Sequence, residues 1–182
     1  AARTAEALLA GGMRAVEITL RTPVAPDCLR AVKRRFPELK VAAGTVTGAA
    51  DVAVAVDAGA DFCVSPGTTR ELLEACAGAN VNVLPGVATA SDVMLGAAHG
   101  LSVFKFFPAE AAGGKNLLDA FAGPFPRARF CPTGGLTQEN FRQYLALPNV
   151  ICCGGSWMVE EALVAGAHWH EVTALARDAM SG

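Results

Sequence analysis

The chain has 182 residues, 18% of them charged, with a formal net charge of −2. Such a length suits one domain with a sizeable core, and so balanced a charge gives no electrostatic case for nucleic acid or an anionic membrane. No stretch approaches the roughly 20 apolar residues of a membrane span, and a charged fraction below the roughly 25% usual in soluble proteins points to apolar surface covered by a partner subunit.

A helical pattern over residues 4–10 comes first, followed by a strand pattern over 15–20. That strand alternates, with Val16, Ile18 and Leu20 on one face and Glu17, Thr19 and Arg21 on the other. An amphipathic segment at 28–36 leads to strand-like runs at 41–46, 62–66 and 81–85, with a helix expected at 69–77. Val103-Phe104-Lys105-Phe106-Phe107-Pro108 is an apolar run closed by a proline, the pattern of a buried strand. Further strands are expected at 129–133 and 150–153, flanking a helix at 139–147. Short Gly/Ala connectors precede several strands, as at Ala58-Gly59-Ala60 and His99-Gly100. Strands alternating with helices mean βα units and a parallel sheet. Seven strand patterns are visible, whereas a closed (β/α)8 barrel needs eight. The expectation is an α/β fold, a (β/α)8 TIM barrel whose first strand is missing from this chain, or failing that an open sheet. Residues 1–182 form a single, N-terminally incomplete domain on this reading, and the lack of a starting Met points the same way.

Four of the six cysteines, Cys63, Cys131, Cys152 and Cys153, lie inside the strand-like runs, and no CxxC pair exists. Reduced thiols acting as small hydrophobes are expected, which suits a cytoplasmic protein. His99, His168 and His170 show no metal-ligand spacing, so no metal is expected.

Lys105 is the informative residue. An ammonium buried in low dielectric costs several kcal/mol, and the chemistry that repays such a site uses the neutral amine to attack a carbonyl. Phe104 and Phe106 turn toward the helices in a parallel barrel, so Val103, Lys105 and Phe107 point inward. The same counting sends Glu17 and Arg21 inward, Arg21 nearer the C-terminal mouth. A carboxylate, a guanidinium and an amine then converge where barrel active sites lie. The competing explanation is a buried ion pair that only supports the core, but such pairs are weak sources of stability. Thr133-Gly134-Gly135 and Gly154-Gly155-Ser156 follow what would be strands seven and eight, the second opening a short helix at Trp157. Paired glycines let backbone N–H groups approach an anion, and loops after strands seven and eight are the usual phosphate site of this fold.

Glu17-Ile18-Thr19-Leu20-Arg21-Thr22, Ala43-Gly44-Thr45-Val46, Ser65-Pro66-Gly67 and Lys105-Phe106-Phe107-Pro108-Ala109-Glu110 occur in that order. Cys131-Pro132-Thr133-Gly134-Gly135 and Gly154-Gly155-Ser156-Trp157 follow. Together these resemble the 2-keto-3-deoxy-6-phosphogluconate and 4-hydroxy-2-oxoglutarate aldolases. The resemblance implies a metal-free class I aldolase without a cofactor, splitting a 2-keto-4-hydroxy acid into pyruvate and an aldehyde. It implies Lys105 as the imine-forming amine and Glu17 as the proton relay. Arg21 and Thr45 would hold the pyruvate carboxylate, and Pro66 and Phe107 would wall the pyruvyl unit. Gly134, Gly135, Gly155 and Ser156 would bind the distal phosphate, with Thr133 nearby. A cytoplasmic homotrimer acting on a small keto-acid phosphate is the implied setting. Two alternatives stand: the sister aldolase for the C4 epimer (the galactonate substrate), and a phosphosugar-binding barrel without covalent chemistry, which would not need Glu17 and Lys105 facing inward.

Overall fold

A computed structural model of the chain describes residues 1–181. Its strands are β1 (Ala15–Thr19), β2 (Lys40–Gly44), β3 (Phe62–Val64), β4 (Asn82–Leu84), β5 (Gly86–Val87), β6 (Val103–Phe106) and β7 (Arg129–Pro132). Every ladder is parallel, in the orders β1-β2-β3-β4 and β5-β6-β7. The expected run at 81–85 is thus one extended segment divided at Pro85. A proline cannot donate to a ladder, but its carbonyl accepts from the Lys105 N–H at 2.9 Å. The first half of the segment pairs with β3 and the second with β6.

The strand expected at 150–153 takes an irregular form beside β7. Phe130 N–H donates to Asn149 O at 2.8 Å, Ile151 N–H to Phe130 O at 3.1 Å and Gly154 N–H to Pro132 O at 2.9 Å. Bridges join Phe130 to Val150 and Thr133 to Gly154, so this segment carries one more residue than its partner between the two bridges. Among the described residues no ladder joins β1 to this segment. The parallel α/β architecture is as expected, while closure into an eight-stranded barrel is absent from the hydrogen bonding.

The helices are α1 (Ala2–Ala10), α2 (Ala25–Arg35), α3 (Ala49–Asp57), α4 (Arg70–Gly78), α5 (Ala90–Ala98), α6 (Gly114–Ala122), α7 (Phe141–Leu145), α8 (Glu161–Ala165) and α9 (Trp169–Met180). Thr69 caps α4 by accepting from Leu72 N–H, and Thr89 with Asp92 forms a capping box on α5. Helix α7 is shorter than the sequence pattern because Asn140 folds back, its Oδ1 accepting the Thr137 N–H at 2.8 Å. Helix α1 packs on α9, where the Thr173 hydroxyl donates to Ala7 O at 3.0 Å. The chain's two helical ends therefore meet although its two outer strands do not.

Phe104, Phe106 and Phe130 are fully buried, Phe106 and Phe130 against Phe121 of α6 and Phe104 against Phe130. Burying three phenylalanines on one side of β6 and β7 fixes the register of both strands. A one-residue slip of β6 would exchange Phe104 and Phe106 with Lys105, so the aromatic core determines that Lys105 faces the other way.

Candidate active site

Lys105 lies on the lumen side of β6 with its side chain only 8% exposed. Its Nζ is 3.6 Å from Glu17 Oε1 and 4.9 Å from the centroid of the Phe107 ring. The ring meets the ammonium or amine with its π face, which favours a cation there and excludes water from one side. Glu17 reaches Lys105 from β1, on the far side of the lumen from β6, with about a third of its side chain exposed. The pair is therefore half-dry: Lys105 is enclosed and Glu17 touches solvent.

Gly44, at the end of β2, makes room for that pairing. The Glu17 side chain lies over its Cα, so a Cβ added at Gly44 would come 2.6 Å from Glu17 Cγ and Cδ and closer still to Oε1. Register places Glu17 opposite Ala42, and its side chain leans along the strand to Gly44. The next residue, Thr45, adopts φ +58°. A β-branched residue in the left-handed region is a strained backbone, of the kind that clusters where function fixes a side chain.

Arg21 lies two residues past β1, is exposed, and donates from Nε to the Thr19 hydroxyl at 3.1 Å. Among the described residues it forms no ion pair with Glu17, so the two stay separate groups, one at the mouth and one in the lumen. Pro66 is exposed just beyond β3. Its position is set by the fully buried Ser65, whose hydroxyl donates to Gly67 O at 2.7 Å and accepts the Gly86 N–H at 3.3 Å. Gly86 is the ladder partner of Lys105, and a Cβ on it would collide with the Pro66–Gly67 peptide. The Pro66 turn thus rests directly beside the Lys105 strand.

Cys131 is the ladder partner of Lys105 on the other side. The neighbouring Cys152 thiol and burial together push the Cys131 thiol well above its ordinary range, so it stays protonated and is no rival nucleophile. Burial likewise pushes Cys153 up to about 12. Among the described residues no three His, Cys, Asp or Glu side chains converge as a metal-ligand set.

Thr133, Gly134 and Gly135 leave β7 at the same end as Lys105, and the loop is tied back to the end of β6. Ala109 N–H donates to Thr133 O at 2.8 Å and Glu110 N–H to Gly134 O at 3.1 Å. Asn140 Nδ2 donates to Gly135 O at 3.1 Å. With all three carbonyls occupied, the Gly134 and Gly135 N–H groups donate to no acceptor among the described residues, and neither do those of Gly155 and Ser156. Both glycines of the first loop have positive φ, +96° and +78°. Successive free N–H groups in such a turn form a concavity that suits an anion. The Thr133 side chain packs against Gly154, linking the two loops. Gly155 has a second duty: a Cβ there would lie 2.7 Å or less from the Trp157 ring, which stacks on Phe141 at 5.1 Å. The expected helix at Trp157 is a single 3-10 turn, Trp157–Val159.

Of the residues expected from sequence, the structure brings Lys105 and Glu17 into contact. Arg21, Thr45 and Pro66 lie at neighbouring strand ends, and the expected convergence of Arg21 with that pair is not seen, because its guanidinium is exposed and bonds Thr19 instead. Sequence reasoning passed over Gly44, Ser65, Gly86, Glu110 and Tyr144 as individual contributors. Small residues opposite an inward Glu, as in Ala42-Ala43-Gly44, are the signal that would have found the first. A hollow of about 400 Å³ opens at the strands' other end among Lys40, Asp61, Asn82 and Val103. Its lysine–carboxylate pair, Lys40 Nζ to Asp61 Oδ1 at 3.5 Å, differs from that of the mouth because Lys40 is 67% exposed, a solvated ammonium where Lys105 is an enclosed one.

The sequence model of a family described as KDPG and KHG aldolase matches residues 1–175. The KHG/KDPG aldolase of Escherichia coli K12 is 48% identical over 178 residues, covering 98% of this chain and 84% of that protein. The 2-dehydro-3-deoxy-phosphogluconate aldolase of Pseudomonas aeruginosa is 49% identical over 176 residues, covering 97% and 80%. Among solved structures, the KDPG aldolase of Legionella pneumophila superposes with a TM-score of 0.95 at 46% identity, covering 97% of this chain and 86% of that one. That crystal holds pyruvate captured at low pH as a covalent carbinolamine intermediate.

Proposed function

The chain belongs to the KDPG and KHG aldolase family, and on that footing we propose how its residues carry the family's reaction. It is a class I aldolase, a lyase that cleaves 2-keto-3-deoxy-6-phosphogluconate to pyruvate and glyceraldehyde 3-phosphate. The same site handles the shorter 4-hydroxy-2-oxoglutarate, giving pyruvate and glyoxylate. The observation that carries the residue assignment is the enclosed Lys105 amine 3.6 Å from the Glu17 carboxylate.

Lys105 Nζ adds to the C2 ketone, giving a carbinolamine that loses water to form the iminium. Glu17 moves the protons of that dehydration and takes the C4 hydroxyl proton. The C3–C4 electron pair then flows into the iminium, the aldehyde leaves, and an enamine of pyruvate remains on Lys105. Protonation at C3 and hydrolysis release pyruvate and restore the amine. Arg21 and Thr45 hold the substrate carboxylate, the guanidinium through two parallel hydrogen bonds. Pro66 and Phe107 enclose the pyruvyl unit, and the free N–H groups of Gly134, Gly135, Gly155 and Ser156 receive the phosphate, with Thr133 beside it.

The wider setting is part of the same proposal. Residues 1–182 act as one domain, whose sheet is that of an eight-stranded barrel with one strand position, between β1 and residues 150–154, not filled by this sequence. We assign the chain to a cytoplasmic homotrimer, and exposed apolar side chains such as Val24, Val56 and Met94 suit coverage by a partner subunit. The test of the function is steady-state turnover of the gluconate substrate, its C4 epimer and 4-hydroxy-2-oxoglutarate side by side. The gluconate substrate should have the highest kcat/KM. A preference for the epimer would transfer the assignment to the sister aldolase, and no turnover of any of the three would leave a binding barrel.

A further inference from the structure

We propose that Glu110 is a positioning residue for the phosphate end of the substrate, holding the Gly134–Gly135 turn in its anion-receiving conformation from below. The inference rests on the reading that this turn binds phosphate. Glu110 follows the Lys105 strand and touches the turn twice. Its N–H donates to Gly134 O at 3.1 Å, and its side-chain stem lies against Gly135, where an added Cβ would come 2.7 Å from Glu110 Cβ and Cγ. Its carboxylate accepts a hydrogen bond from the Tyr144 hydroxyl. Tyr144 is 1% exposed and sits on α7, one turn from the Asn140 whose side chain holds Gly135 O. Burial and the adjacent Glu110 raise the Tyr144 hydroxyl above its ordinary range, so it remains a donor.

Two constraints follow from this clamp. First, the turn is gripped from both sides, by Ala109 and Glu110 after β6 and by Asn140 before α7, so its carbonyls cannot rotate toward the mouth. An unclamped Gly-Gly turn would be free to flip, since glycine visits both signs of φ readily. Second, Glu110 is itself exposed on its open side, and a free carboxylate beside a phosphate would repel it. Donation from Tyr144 draws that carboxylate toward the protein interior and away from the anion. Glu110 thus serves by where it is held, and it makes no contact with the reacting atoms.

The experiment measures kcat/KM for 2-keto-3-deoxy-6-phosphogluconate and for 4-hydroxy-2-oxoglutarate, and reads their ratio, together with thermal melts. Glu110→Ala should lower the ratio about 10-fold or more, chiefly through KM for the phosphorylated substrate. Glu110→Gln keeps the stem and an acceptor for Tyr144, so its ratio should stay within about 2-fold of the wild type or rise. Tyr144→Phe releases the carboxylate and should lower the ratio about 3-fold or more, and it replaces Glu110→Ala as the deciding variant if that protein does not fold. Adding Glu110→Gln to Tyr144→Phe removes the released charge and should restore part of the ratio, which a merely structural role would not do. Ser156→Asp places a negative charge at the other phosphate loop as a control. If Ser156→Asp lowers the ratio and Glu110→Ala does not, the role of Glu110 is overturned while the phosphate site stands. If neither lowers it, the phosphate site itself is wrong and the Glu110 proposal falls with it.

Discussion

Gly44→Ala is the smallest change that separates the geometry of the Lys105–Glu17 pair from the stability of the fold. A methyl at residue 44 would lie 2.6 Å from Glu17 Cγ and Cδ, against 3.4–4 Å for ordinary contact. Glu17 must therefore retreat by roughly 1 Å. Its side chain is flexible and touches solvent, so the retreat costs little energy. Gly44 does not have a positive φ, and alanine there should leave stability unchanged or raise it by about 0.4–1 kcal/mol through the unfolded chain. Catalysis should respond differently, because misplacing a reacting group by 1 Å can cost about 10²-fold. We expect kcat for the phosphorylated substrate to fall about 10–10²-fold with no loss of Tm. Glu17→Gln, which removes the carboxylate proposed as the proton relay, should cost about 10²–10⁴-fold. In the double variant, Gly44→Ala should add nothing to the Glu17→Gln loss, since both act through one carboxylate. Coupled assay of pyruvate release measures all three. Wild-type kcat in Gly44→Ala, or additive losses in the double variant, would refute the reasoning.

Arg21→Lys should raise KM for both keto-acid substrates by about 10-fold or more, because an ammonium cannot make two parallel hydrogen bonds to a carboxylate; unchanged KM in steady-state assays would remove Arg21 from the site. Away from the mouth, Asp61 joins three elements by accepting from Lys33 Nζ and Val41 N–H, each at 2.7 Å. Burial alone would raise its carboxyl, but the hydrogen bond from Lys33, the Val41 N–H and the charges of Lys33 and Lys40 outweigh this and hold it below the ordinary range. A depressed folded-state value means stability present above about pH 4 and lost as pH falls through the lower folded value. Urea melts between pH 7 and pH 3 should therefore show a shallower acid decline in Asp61→Asn than in the wild type, and equal slopes would contradict the assignment.

Much of the site was legible because strand periodicity and burial agree. Alternation in residues 15–20 places Glu17 inward, and the Phe104–Phe106 pair forces Lys105 inward by occupying the helix-facing positions. The two loops at the mouth were legible as Gly-Gly pairs at strand ends, but Gly155 accommodates Trp157, a packing contact between residues two apart that spacing does not reveal. Division of the 81–85 run at Pro85 was less visible, because a proline at the end of an apolar run reads equally as a strand terminus. Helix α7 was overestimated because Glu139 and Asn140 fit the amphipathic pattern while the Asn140 side chain closes a turn instead. The Glu110–Tyr144 link joins residues 34 apart in sequence, and no local pattern encodes a contact of that kind.

Reductive trapping tests the central claim most directly. The protein is incubated with pyruvate, reduced with borohydride, digested, and its peptides are mapped by mass. An imine on the enclosed amine predicts a stable adduct on the peptide containing Lys105, unaffected by prior treatment with a chelator. The Lys105→Met protein should give no adduct. An adduct on Lys33, Lys40 or Lys115, or turnover without any adduct, would contradict the account.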